Sequence, residues 1–348
     1  MKVTMELKLL PDKQTAALLD FTMAEYISLV NDILDYAIAC GKMPELSSKN
    51  LRALLPSALK DQCRLDAKSI YSKVTKPNSK LKGRFPTLRK PVSIWNNQNY
   101  EVGVDYVAMP LFVNGKSHKT KISAIVPDEA LKILQSAKKG TMRITKKGNK
   151  YIAQIAYEKP EAKPSTGTHV MGVDLGLKCP AVAVSDGGKT KFYGNGRQNK
   201  FIRRKHNARR KKLGKAKKLR AIKKSRNKEQ RWMRDQDHKV SRAIVNEAIA
   251  QKVKTIKLES LSGIRNSART SRKNNHSLHG WSFYRLGKFI EYKAQLAGIA
   301  VEYVDPAYTS QRCPHCGCLN HAHDRNYTCS CGYHTHRDRV GALNILNA

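Results

Sequence analysis

The sequence predicts an α/β fold class in two parts. A small β-barrel with a helical bundle comes first, and a mixed sheet carrying a metal ribbon follows. Three observations predict this. Residues 92–157 read as short alternating β-runs separated by turn residues, the pattern of antiparallel strands. Past a polar, Pro-rich stretch at 159–167, three short strands in close succession give way to helix alternating with strand, the order of a mixed sheet. Five of the eight cysteines fall between Cys313 and Cys331.

The 348 residues suffice for two or three domains with cores of their own. Against 66 Lys and Arg stand 27 Asp and Glu, a formal net charge of +39. Self-repulsion on that scale opposes a compact state unless a polyanion neutralises it, so the expected partner is a long nucleic acid. An anionic membrane is the rival, but the sequence holds no run of about 18 apolar residues. The segment MKVTMELKLLPDKQ carries Glu6 and Asp12 where a signal peptide would be apolar, so no membrane partner and a cytoplasmic location are expected. In that reducing compartment, clustered cysteines point to metal rather than disulfides.

Taken in order, residues 3–9 alternate weakly and form a strand, and Pro11 and Asp12 open a helix. Ala17, Phe21, Ala24, Ile27, Val30, Leu34 and Ile38 then recur at three and four over 13–39, a helical period that Gly41 ends. A second helical region covers 48–74, broken near Pro56. The basic segment VTKPNSKLKGRFPTLRK offers Arg84 and Phe85 as a nucleic-acid contact, in which the ring stacks on a base; its bland alternative is a solvated linker. KKGNK at 146–150, between two alternating runs, is a hairpin.

Past the 159–167 boundary, strands are expected at 170–173, 181–185 and 191–193. A basic helical region comes next, then a strand at 255–258, a helix at 281–297, a strand at 301–304, the cysteine-rich insert and a final helix. This is the order of an RNase H-like sheet, in which the first and fourth strands lie side by side in parallel. The strand VMGVDLG delivers Asp174 at its end, between Gly172 and Gly176; KTIKLES delivers Glu259; THRDRVGALNIL puts Asp338 at the start of the last helix. Three carboxylates at element termini, meeting at the carboxyl edge of the sheet, suit hard divalent cations. In-line phosphoryl displacement uses two such ions about 4 Å apart.

Between Lys200 and Lys228 there is no acid. Arg203, Arg204, Arg209, Arg210, Lys211, Lys212, Lys217, Lys218 and Arg226 crowd there, while Leu213, Ala216, Leu219 and Ile222 recur at three as a docking stripe. Most such blocks are solvated arms; here phosphate contact is the expectation, positioning nucleic acid without reading its sequence. In CPHCGCLNHAHDRNYTCSCG, Cys313 and Cys316 form a CxxC knuckle, and Cys329 and Cys331 a tighter CxC. Four thiolates satisfy tetrahedral structural Zn²⁺. Cys318, His315, His321, His323 and His334 are alternative ligands, and Cys40, Cys63 and Cys179 read as packing thiols.

HRD at 336–338 resembles a kinase catalytic loop, but no Gly-rich loop precedes it. GVDLG at 172–176, KLES at 257–260, DPAYTSQRCPHCG at 305–317 and CGYHTHRDRVGALNIL together resemble the RuvC nuclease domain of the TnpB family. These are transposon-encoded RNA-guided endonucleases related to type V CRISPR effectors. The likeness is specific over 169–348 and loose before it. It implies a wedge-like barrel at 1–10 and 76–160, an inserted helical recognition domain at 11–75, and a RuvC-like nuclease domain at 168–348 with basic helices at 200–250 and a zinc ribbon at 308–333. It implies that Asp174, Glu259 and Asp338 hold Mg²⁺ or Mn²⁺, and that a guide RNA from the transposon end directs cutting of double-stranded DNA beside a short flanking motif. A prokaryotic, nucleoid-associated setting follows from the same likeness. A compact type V effector and a non-cleaving RNA-guided regulator are the alternatives.

Overall fold

The computed structural model describes the chain except residues 82, 262–270, 272–274, 276–277 and 323, and at Arg226 and Asn227 it describes the backbone alone. The chain divides into two compact units, Met1–Pro160 and Glu161–Ala348, within the Pro-rich stretch where the composition changes.

In the first unit, β1 (Lys2–Leu9) precedes α1 (Lys13–Ala39) and α2 (Ser57–Thr75). There follow β2 (Val92–Trp95), β3 (Glu101–Val102), β4 (Tyr106–Val113), β5 (Lys116–Ile125), α3 (Asp128–Ser136), β6 (Lys139–Lys147) and β7 (Lys150–Glu158). The strands form one seven-stranded sheet in the order β2-β6-β7-β1-β5-β4-β3. The KKGNK hairpin joins β6 to β7, with Lys147 opposite Lys150 and Gly148 at φ 64°, a left-handed turn conformation that glycine adopts without strain. Asp12 caps α1 by accepting from the Thr15 amide at 2.7 Å.

Two details differ from the sequence reading. The buried face of α1 runs through Leu19, Met23, Tyr26, Val30, Ile33 and Ala37, leaving Phe21 and Ile38 exposed. The helix is apolar around more than one stripe, so periodicity announces it without fixing its face. Residues 48–55 are not helical, and α2 begins after Pro56, whose ring ends any helix running into it. The helices and the sheet share one core in which Tyr26, Leu59 and Cys63 are buried together with Trp95, Met109 and Ile155.

The second unit opens with β8 (His169–Asp174), β9 (Ala181–Ser185) and β10 (Thr190–Tyr193). Helices α4 (Gly196–Lys215) and α5 (Leu219–Ala250) follow, then β11 (Val253–Glu259), α6 (Phe283–Leu296) and β12 (Ala300–Val304). The short pair β13 (Asn326–Thr328) and β14 (His334–His336) precedes α7 (Arg337–Asn347). The five-stranded sheet runs β10-β9-β8-β11-β12, with β8 parallel to β11 and antiparallel to β9. Its two faces carry different layers. Met171, Val173, Ile256 and Leu258 pack against Val240, Ile244 and Ala248 of α5 and Leu286, Ile290 and Ala294 of α6. On the other face Val182 and Val184 pack with Ala342 of α7.

The expected helix through Leu213, Ala216, Leu219 and Ile222 is broken. The chain turns back at 216–218, Lys217 takes φ 53°, and Leu219 is 66% exposed. No single docking stripe exists, because α4 and α5 form a helical hairpin.

Candidate active site and metal ribbon

Side-chain alternation along β8 and β11 sets the site. On β8, Met171 and Val173 face the α5–α6 core, so Gly172 and Asp174 face α7. The approach there is so close that a Cβ on Gly172 would collide with the Ala342 carbonyl and the Leu346 amide. On β11, Lys257 donates to the Leu346 carbonyl at 3.1 Å, which places Lys257 and Glu259 on that same α7 face. Asp338 lies in the first turn of α7, buried at 8% exposure. His336 caps that helix, its Nδ1 accepting from the Asp338 amide at 3.2 Å. Gly341, one turn on, lies directly opposite the Asp174 carboxylate.

The electrostatics follow from that convergence. Loss of solvent, then the negative charges of Glu259 and Asp338, push the Asp174 carboxyl up to about 8; Arg325 and Arg337 offset part of this. Burial also raises Glu259, against a hydrogen bond from Thr309 that lowers it. Asp338 forms an ion pair with Arg325, which reaches in from the cysteine-rich insert. The acids are splayed more widely than the thiols. Among the described residues, only the four cysteines form a group of three or more His, Cys, Asp or Glu whose ligand atoms all lie within 4.8 Å.

That group is Cys313, Cys316, Cys329 and Cys331. Two turns present it, the Gly317 amide bonding Cys313 O at 2.9 Å and the Gly332 amide bonding Cys329 O at 3.0 Å, with both glycines at positive φ. The set is four soft sulfurs all within 4.8 Å of one another, which fits Zn²⁺. Among the described residues Cys318, His315, His321 and His334 stand outside it, with His315 stacked on Tyr333 and His334 bonded to Thr328; His323 lies outside the described residues. Cys63 is buried and Cys179 half-buried, whereas Cys40 is exposed and so is not a packing thiol. The carboxylates are a hard-oxygen set whose mutual repulsion a divalent cation would relieve, and they fit Mg²⁺ or Mn²⁺ on that ground.

The basic residues divide. Arg210 pairs with Glu229 at 2.6 Å and binds α4 to α5, and Arg203 is half-buried beside Glu229 and Asp237. Arg204, Arg209, Lys211, Lys212, Lys217 and Lys218 are exposed, and the Arg226 side chain lies outside the described atoms. Arg84 is exposed, while Phe85 is half-buried with its ring 5.4 Å from Tyr71. Sequence reasoning missed Thr309 and Arg325. The first carried no signal beyond a TSQ tripeptide, and the second was one arginine among many.

Comparison with known proteins bears on this architecture. A family profile described as a probable transposase (OrfB_IS605) matches residues 154–265, and one described as the Cas12f1-like TNB domain matches 283–345. A TnpB-like protein of Methanocaldococcus jannaschii is 32% identical over 237 residues, 65% of this chain and 85% of that protein. A CRISPR-associated endodeoxyribonuclease, Cas12f1 of Sulfoacidibacillus thermotolerans, is 30% identical over 216 residues, 57% of this chain and half of that protein's length. The Cas12f1 chain of a cryo-EM complex with sgRNA and target DNA superposes with a TM-score of 0.72 at 16% identity, covering 97% of this chain and 83% of that one. At that identity the likeness is one of fold. No helix among the described residues is long and apolar enough to cross a membrane.

Proposed function

The chain belongs to the TnpB family, and on that premise we propose that it is an RNA-guided DNA endonuclease whose cutting site is Asp174, Glu259 and Asp338. The observation that carries the reading is the convergence of those three acids on the α7 face of the second sheet, where burial, and then the charges of the other two, raise Asp174. Divalent cations bound there would activate the attacking water and neutralise the leaving oxygen, as paired metals do in phosphodiester hydrolysis. The protein's part is to hold three carboxylates against their own repulsion. In this reading the second sheet is RNase H-like, 168–348 is the nuclease domain, 1–10 and 76–160 form a wedge-like barrel, and 11–75 recognises nucleic acid. Zn²⁺ in the four thiolates closes the ribbon. The exposed arginines and lysines of α4 and the following turn contact the phosphates of a guide RNA from the transposon end. Pairing of that RNA reads the DNA, beside a short flanking motif, in a prokaryotic nucleoid. The match to the Cas12f1-like profile favours a second reading, a compact type V effector with the same chemistry. The genomic neighbourhood, a repeat array or a transposon end, separates the two.

The test is to sequence the copurifying RNA, build its complementary duplex and measure Mg²⁺-dependent cleavage. Asp174→Ala is expected to lower cleavage by more than the roughly hundredfold that outer-shell substitutions cost, with RNA retained. Undiminished cutting by that variant overturns the site, and no cutting by the unaltered protein makes it a regulator.

A further inference from the structure

We infer that Thr309, at the root of the ribbon, is a positioning residue for Glu259. The inference rests on the nuclease reading and deepens it. Of the three acids, Glu259 has the longest side chain and the most rotamer freedom to lose, and it sits at the last residue of its strand. Asp338 is held by Arg325 and by its place in the first turn of α7. What holds Glu259 is Thr309, whose buried hydroxyl donates to Oε1. The same hydroxyl lies 3.2 Å from the Pro306 carbonyl, but it has one proton, and the anionic oxygen is the stronger acceptor.

The backbone around Thr309 is shaped for this contact. Tyr308 takes φ 60°, a left-handed conformation that strains a bulky residue, and it turns its own ring to solvent at 54% exposure while Thr309 points inward. The Asn344 side-chain amide of α7 donates to the carbonyls of both Thr309 and Arg312 at 2.7 Å, fixing the segment from the helix that also carries Asp338. Glu259 and Asp338, from separate elements, are thereby tied to one frame. Occupying Oε1 leaves Oε2 as the oxygen free to meet a cation. Outer-shell partners of this kind cost about 10- to 100-fold in metal affinity or activity when removed.

The experiment uses the full chain with its copurifying RNA, titrated with Mn²⁺ and read by electron paramagnetic resonance against the RNA alone, alongside the Mg²⁺ dependence of cleavage. Thr309→Val keeps the shape and removes the hydroxyl; Thr309→Ser keeps the hydroxyl; Asp174→Ala is the control. Thr309→Val is expected to weaken Mn²⁺ binding about tenfold or more and to raise the Mg²⁺ needed for half-maximal cutting, with Thr309→Ser within about threefold of the unaltered protein. If Thr309→Val is insoluble, Thr309→Ala takes its place in the comparison. Unchanged Mn²⁺ binding in the hydroxyl-free variant, with binding lost in Asp174→Ala, overturns the positioning role and leaves the nuclease reading standing. Binding and cutting unchanged in Asp174→Ala overturn both.

Discussion

The four cysteines come from one stretch, 313–331, and face one another across two short turns. The three acids come from Asp174, Glu259 and Asp338 and meet only because β8 pairs in parallel with β11 while α7 crosses both. The first site is made by local chain geometry and needs little from the rest of the unit. The second needs all of it, and its charges oppose the folding that assembles them, since Asp174 is driven up to about 8 by burial and by its neighbours. The two are nevertheless linked. The strands and turns around the thiols send Arg325 to Asp338, and the segment leading into them sends Thr309 to Glu259. A closed local site can thus brace an open, non-local one.

Opening the local site is the strongest way to break that comparison. Cys316→Ser removes one of the four thiols, and because structural zinc supplies folding energy outright, zinc content, expected at one ion per chain in the unaltered protein, should fall to near none. If the ribbon braces the acids, cleavage falls about tenfold or more as well, since Arg325 and Thr309 lose their frame. Elemental analysis and a cleavage assay on one preparation decide it. Zinc lost with full cleavage retained would make the two sites independent.

A milder disturbance works from the other side. Gly172→Ala drives a methyl into the backbone of α7 while leaving every metal ligand in place. Overpacking of that kind costs about 1–3 kcal/mol. The expected result is a lower thermal midpoint and reduced cleavage with zinc content unchanged, because none of the four thiols lies on β8 or α7. A variant that melts and cuts as the unaltered protein does would show that α7 need not lie so close.

The same contrast explains what the residues alone could tell. Cys313, Cys316, Cys329 and Cys331 were legible from spacing, because ligands a few residues apart on a turn can only face inward together. Asp174, Glu259 and Asp338 were legible one step later, through element order: each ends or begins an element, and parallel pairing of β8 with β11 brings the first two together. The partners were not legible. Thr309 acts through a turn strained at Tyr308, and Asn344 reaches back 35 residues to hold it, neither of which leaves a periodic trace. The basic block failed differently. Composition announced it, but Arg203 and Arg210 turn inward to Asp237 and Glu229, because a helical hairpin has an inside that a charge count does not see.

The smallest expected effect is also the one most specific to the acid site. In magnesium-free buffer, with zinc left in the ribbon, Asp174 titrates near 8 in the folded chain against 3.8 for an unperturbed carboxyl. Between those values the folded state keeps a proton that the unfolded chain releases. Stability is therefore greatest at the acid end of the window, falls as pH rises toward 8 and levels above it; the raised carboxyl of Glu259 acts in the same sense. One proton sets a ceiling of about 1.4 kcal/mol per pH unit, and the partial exposure of Asp174 narrows the pH window over which it is reached. Added Mg²⁺ should flatten the profile, since a bound cation needs the carboxylate ionised in the folded state. Urea unfolding of the unaltered protein and of Asp174→Asn from pH 5 to pH 8 measures it. The asparagine variant should lose most of the slope. A slope that persists in full without Asp174, or that Mg²⁺ leaves untouched, would place the proton elsewhere and remove the electrostatic strain that distinguishes the acids from the thiols.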